Sequence, residues 1–162
     1  MVADTWLAVA AEVAKRSRCV RSQVGCVLVD AGGRVISTGY NGPPAGYTLA
    51  DNRTSCAAFC PRHDTDHGRP DFSDCPSVHA ELNALLYSER ARREGGTAYI
   101  TRDPCFDCAK ALANSGLKEV RWNWVGSERE TRVALFLRQC GLKVQSASLS
   151  FFDHPKLEGI TW

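Results

Sequence analysis

A chain of 162 residues, 44% hydrophobic and 23% charged, has the profile of one globular domain with enough apolar surface to build a core, and leaves little room for two. Its 20 Lys and Arg against 18 Asp and Glu give a formal charge of +2, so no chain-wide field draws it to a polyanion or an anionic membrane. Apolar runs such as Val24 to Val29 fall far short of the roughly 18 residues of a spanning helix, and Met-Val-Ala-Asp-Thr-Trp lacks the basic-then-apolar layout of a signal peptide, so a cytoplasmic location is expected.

From Ala3 to Ser17, Trp6, Val9, Ala10, Val13 and Ala14 recur at helical spacing and predict an amphipathic helix. Two β-rich runs, Val24 to Val29 and Arg34 to Thr38, flank Asp30-Ala31-Gly32-Gly33 and predict a hairpin. Beyond Tyr40-Asn41-Gly42-Pro43-Pro44 periodicity is lost until about Val78, and a segment of that length in a small domain is expected to be functional or clipped by a metal. The second half alternates: helix His79 to Arg92, strand Thr97 to Thr101, helix Cys105 to Ser115, strand Val120 to Val125, helix Glu128 to Cys140, strand Leu142 to Ala147. That alternation predicts parallel strand pairs in an α/β sheet. Trp122 and Trp124, two apart on a strand, share a face and read as packing under a helix or at a subunit contact. Residues 151–162 carry no signal.

Eight cysteines are too few for a disulfide scaffold of this length, and a reducing compartment turns them toward metal. His79-Ala80-Glu81 opens one predicted helix and Pro104-Cys105-Phe106-Asp107-Cys108 the next, the H-x-E and P-C-x-x-C pattern of zinc deaminases. Cys105 and Cys108 lie three apart in a first helical turn, so their sulfurs project to one side, where the helix dipole favours thiolates. With His79 they make three protein ligands and leave the fourth tetrahedral position to water, the pattern of a catalytic zinc. Glu81, two residues on, is the candidate general acid/base, moving protons without ligating metal. The amides near Ala80 and Glu81 point out of the helix N-terminus toward the carbonyl of a bound base.

The chain resembles the cytidine and deoxycytidylate deaminase superfamily over residues 5–148, and within it the deoxycytidylate (dCMP) deaminases. The resemblance rests on Arg18-Cys19-Val20-Arg21-Ser22-Gln23-Val24-Gly25, on Ser37 to Gly46 with its Gly-Tyr-Asn-Gly-x-Pro core, on His79 to Leu85, and on Cys108-Ala109-Lys110 with Asn114 to Lys118. It implies a three-layer α/β cytidine-deaminase-like fold, a five-stranded mixed sheet with helices on both faces, spanning residues 1–162 as a single domain with a Cys/His-rich insert at about 46–78. It implies hydrolysis of dCMP to dUMP and ammonia, with Asn41 contacting the sugar or phosphate and Val24 walling the base. Read without it, Asn41 is a turn residue and Val24 a strand core residue. A monophosphate also requires a cation, for which Arg21 is the candidate.

Within the insert Cys56, Cys60, His63, His67 and Cys75 offer more soft ligands than a surface loop carries, and a structural zinc would order it. Some relatives hold such a second zinc between the counterpart of Cys19 and ligands in the insert; here Cys19, Cys56, Cys60 and Cys75 are expected, with His67 or His63 as substitute. This insert departs from the relatives in which a His-Cys pair follows Gly-Tyr-Asn-Gly more closely. Cys26 and Cys140 read as small buried hydrophobes. The resemblance further implies a homo-oligomer, commonly a hexamer, with dCTP and dTTP as effectors. Two other readings stay open: a 5-substituted dCMP, or a base in tRNA or single-stranded nucleic acid, with a non-catalytic zinc protein made improbable by Glu81.

Overall fold

The computed structural model describes residues 5–47, 60, 75–123 and 129–146. Helix α1 (Thr5–Ala14) leads into strands β1 (Gly25–Val29) and β2 (Val35–Tyr40), followed by helices α2 (Ala80–Leu86) and α3 (Arg90–Arg93). Strand β3 (Thr97–Ile100), helix α4 (Phe106–Ala113), strand β4 (Glu119–Trp122), helix α5 (Arg129–Gln139) and strand β5 (Lys143–Ser146) complete the order.

The strands form one sheet in the order β2-β1-β3-β4-β5. Its two regimes follow from connection length: the tight Asp30 to Gly33 turn permits only antiparallel β1–β2 pairing, whereas α4 and α5 cross over to give parallel β3–β4 and β4–β5. In the turn, Asp30 Oδ1 accepts from the Gly32 and Arg34 amides, both at 2.9 Å, and Gly33 takes a φ of 82°. Those amides hold the Asp30 carboxyl below its ordinary pKa. Strand β1, Gly-Cys-Val-Leu-Val, is buried at every residue because it is covered on both faces.

On one face α1 packs through Ala10 against Val27, Val29 and Tyr99. On the other, α2, α4 and α5 cover Cys26, Leu28, Ala98, Ile100, Val120 and Trp122, the larger of the two cores. The expected three layers are therefore present. Trp122 is fully buried and its Nε1 donates to Glu130 Oε1 of α5 at 2.8 Å, which satisfies the indole where it would otherwise be costly. Trp124 lies outside the described residues.

The predicted helix from His79 to Arg92 is interrupted. Ser88 Oγ donates to the Ala84 and Leu85 carbonyls at 2.9 and 3.0 Å, and Arg93 Nη1 reaches the Leu85 carbonyl at 2.9 Å. Side chains thus satisfy carbonyls that a continuing helix would use, so α2 ends at Leu86 and α3 restarts at Arg90. Cys140 is a second departure: it follows the last residue of α5 and is exposed, whereas Cys26 is buried as expected.

Two glycines set how closely the helices approach. A Cβ on Gly25 would overlap the Ala10 carbonyl of α1, and one on Gly39 would overlap the Ala80 carbonyl and the Ala84 amide nitrogen of α2. Helix α2 is also tied to β2 by hydrogen bonds from Ser37 Oγ to the Ala84 carbonyl and from Asn83 Nδ2 to the Tyr40 carbonyl, the latter at 2.8 Å. These contacts fix the start of α2 relative to the sheet, and with it the first metal ligand.

Candidate active site

His79 immediately precedes α2 in extended conformation, φ −70° and ψ 154°. The chain entering it is pinned by a two-hydrogen-bond bridge between Gly42 and Val78, with N···O distances of 3.1 and 2.9 Å. Cys105 caps α4, its sulfur accepting from the Cys108 amide at 3.4 Å, and Cys108 follows in the first turn. Both helices therefore aim their N-terminal ends at one point.

There His79 Nδ1 lies 3.3 Å from Cys108 Sγ and 3.4 Å from Cys105 Sγ, and the three ligand atoms fall within 4.8 Å of one another. Zinc bonds of about 2.0–2.3 Å at tetrahedral angles separate neighbouring donors by about 3.3–3.8 Å, so the donor set fits zinc. The Cys108 thiol donating to the Cys105 sulfur, with the His79 imidazole assisting, brings the Cys105 pKa down to about 4. The same contact, reinforced by burial, pushes the Cys108 thiol up, and the hydrogen bond to Cys105 raises His79. A bound dication would hold both sulfurs as thiolates.

Glu81 is in the first turn of α2 and only 3% exposed. Burial raises its carboxyl pKa, the adjustment that suits a group exchanging protons near neutrality. A cleft of about 280 Å³ opens over Glu81, His79 and Cys105, and Val24, Ala80, Asn41 and Arg21 all line it. Glu81 and the four residues expected to meet the substrate, Val24, Ala80, Asn41 and Arg21, thus line one cavity.

Asn41 occupies that wall in a specific way. Its Nδ2 donates to the Ser22 carbonyl and its Oδ1 accepts from the Val24 amide, both at 2.8 Å, while Ser17 Oγ caps its own carbonyl at 2.7 Å. The side chain braces the Ser22 to Val24 segment.

Cys19, Cys60 and Cys75 line the same cleft. Among the described residues, however, His79, Cys105 and Cys108 form the one group of three donors close enough to share a metal. Cys56, His63 and His67 lie outside the described residues. The sequence reading missed Arg102, Asp103 and Arg129, which also line the cavity. Arg102-Asp103 directly before Pro104-Cys105 was an available signal, since that corner must stand beside the metal; nothing in local sequence marks Arg129.

Comparison with known proteins supports this geometry. The family model for the cytidine and deoxycytidylate deaminase zinc-binding region matches residues 2–123. The chain belongs to the cytidine and deoxycytidylate deaminase family. It is 43% identical over 123 residues to the deoxycytidylate deaminase of Mycobacterium phage D29, covering 72% of this chain and 90% of that protein. It is 32% identical to that of Enterobacteria phage T4, covering 100% of this chain and 95% of that one. Among solved structures, the cyanophage S-TIM5 dCMP deaminase in complex with dCMP and dUMP superposes with a TM-score of 0.62 at 27% identity, covering 88% of this chain and 93% of the other. His79, Cys105 and Cys108 all lie within the residues that this zinc-binding family model matches.

Proposed function

We propose that this chain hydrolyses dCMP to dUMP and ammonia. The observation that carries the reading is the three-donor zinc cluster with buried Glu81 at the floor of a cleft that Arg21 and Asn41 line. His79, Cys105 and Cys108 would hold the zinc, which when bound would supply Lewis acidity and lower the pKa of water. Glu81 accepts a proton from the water that adds to C4 of the base and passes it to N3. A second transfer through the same carboxyl goes to the departing amine as the C4–N4 bond breaks, so ammonia leaves and the oxygen becomes the new carbonyl. Val24 and Ala80 wall the base, Asn41 meets the sugar or the phosphate, and Arg21 meets the phosphate. A 5-substituent on the base changes binding by only about 1–3 kcal/mol and leaves no mark in this motif set.

Zinc-loaded protein given dCMP and deoxycytidine in parallel, with products followed by chromatography, is expected to convert the nucleotide and leave the nucleoside nearly untouched. Failure on dCMP combined with turnover of cytosine or adenine in RNA or single-stranded DNA would replace this reading with a polynucleotide one.

The reading also includes a second, structural zinc on Cys19, Cys56, Cys60 and Cys75, with His67 or His63 as substitute, on the strength of the family resemblance and of the soft ligands gathered in the insert. Metal analysis is expected to find two zinc ions per chain, falling to one in Cys19→Ser; one ion in both proteins would remove the second site. We read the chain as one domain, a cytoplasmic homo-hexamer with dCTP and dTTP as effectors, on the strength of the family resemblance. Leu86 and Tyr87, 74% and 75% exposed at the end of α2, are apolar surface that subunit contact would cover. Among the described residues no helix is long and apolar enough to cross a membrane.

A further inference from the structure

Ser17 lies just past the end of α1, is 3% exposed, and has every polar group engaged. Its amide donates to the Ala14 carbonyl at 2.9 Å, and its own carbonyl accepts from Gln23 Nε2 at 2.8 Å. The hydroxyl works in both directions, donating to the Asn41 carbonyl at 2.7 Å and accepting from the Cys19 amide at 3.2 Å. One small residue thus joins the end of α1, the Cys19 to Gln23 stretch and the residue that follows β2.

Asn41 is the second node of the same knot. Its amide donates to the Val24 carbonyl at 3.2 Å, and its side chain holds the Ser22 carbonyl and the Val24 amide. Residues 18–24 are therefore clipped at both ends, by Ser17 where they leave α1 and by Asn41 where they enter β1. They form neither helix nor strand, so these hydrogen bonds rather than a ladder set their course. Cys19, Arg21, Ser22 and Val24 of that stretch line the cleft together with Asn41, whereas Ser17 does not. Ser17 stands behind the wall and reaches the cavity only through the residues it holds. The groups assigned to proton transfer and to metal are mounted elsewhere, at the starts of α2 and α4, and the hydrogen bonds of Ser17 touch none of them. Removing its hydroxyl would orphan a carbonyl and an amide at once, one at each node.

We propose that Ser17 is the positioning residue of this wall: it holds Asn41 and the Cys19 to Val24 stretch in one register, and so sets how tightly substrate is bound without entering the chemical step. This rests on the reading of dCMP as substrate and adds which residue, itself out of reach of any ligand, keeps the binding face in shape.

The test compares zinc-loaded wild type with Ser17→Ala, Gln23→Ala, Asn41→Ala and the Ser17→Ala, Asn41→Ala double variant. Each is assayed for dCMP turnover and for calorimetric binding of dUMP, with zinc content and melting temperature measured on the same samples. In Ser17→Ala, KM for dCMP and Kd for dUMP are expected to rise about tenfold, with kcat within about twofold of wild type and zinc content unchanged. Gln23→Ala removes only the bond to the Ser17 carbonyl and should raise KM about threefold. Because Ser17 acts through Asn41 and the stretch they share, the double variant is expected to raise KM by clearly less than the product of the single effects. A lower melting temperature with KM and Kd unchanged would overturn the proposal and leave Ser17 a residue of stability alone. Single effects that multiply in the double variant, or a loss confined to kcat, would overturn it too, while wild-type turnover of dCMP left the activity standing. Should Ser17→Ala fail to fold, the split between KM and kcat in Gln23→Ala decides in the same way. Absence of wild-type turnover on dCMP would instead overturn the activity, and the proposal with it.

Discussion

Glu81→Gln is expected to lower kcat by about 10³–10⁴-fold while the protein retains its full zinc content. The amide matches the carboxyl in size and preserves the packing of a residue that is 3% exposed, so the change isolates proton transfer from structure. It removes the one group placed to collect a proton from water and return it to the base, and the metal donors His79, Cys105 and Cys108 are untouched. Steady-state rates with zinc measured on the same samples give the check. A variant keeping more than a tenth of wild-type kcat at full zinc occupancy would assign the proton shuttle to another residue.

Gly39→Ala is expected to cost about 3 kcal/mol of stability, a fall of roughly 10 °C in Tm, and to weaken zinc binding as well. The added Cβ meets the Ala80 carbonyl and the Ala84 amide of α2, backbone atoms that yield only if the whole helix lifts from β2. His79 directly precedes that helix and moves with it. Gly25→Ala serves as the control, because its Cβ meets Ala10 of α1 on the opposite face of the sheet. A comparable loss of Tm is expected there with zinc affinity retained. Thermal unfolding with and without a chelator, together with zinc titration, separates the two; identical zinc affinities in both variants would show that the α2–β2 contact does not set the ligand.

These glycines also show what was legible in the sequence. The hairpin and the alternating second half could be read because their signals are local: Asp-x-Gly-Gly between β-branched runs, and periodicities that switch from two to 3.6. His79, Glu81, Cys105 and Cys108 could be read because their spacing is itself the chemistry, two helix starts each carrying its own ligands. Gly39 stood inside a recognised motif, yet its reason, close backbone approach by α2, is a contact between elements and has no sequence period. The break at Ser88 was hidden for a related cause. Its hydroxyl competes for the carbonyls of Ala84 and Leu85, assisted by Arg93 five residues on, whereas the apolar pattern continues through Leu86 and Tyr87 as though the helix did. Asp103 and Arg129 were out of reach because an ion pair across the fold depends on a topology that brings the end of β3 beside the start of α5.

The metal donors rest on α2 and α4, helices seated over β1, β2 and β3, whereas Arg129 enters the same cavity from α5, beyond β4. The metal site and the far wall of the cleft thus come from separate stretches of the chain, tied by one salt link between Asp103 and Arg129. A change confined to α5 therefore reshapes one wall of the cleft while leaving the three metal donors where they are.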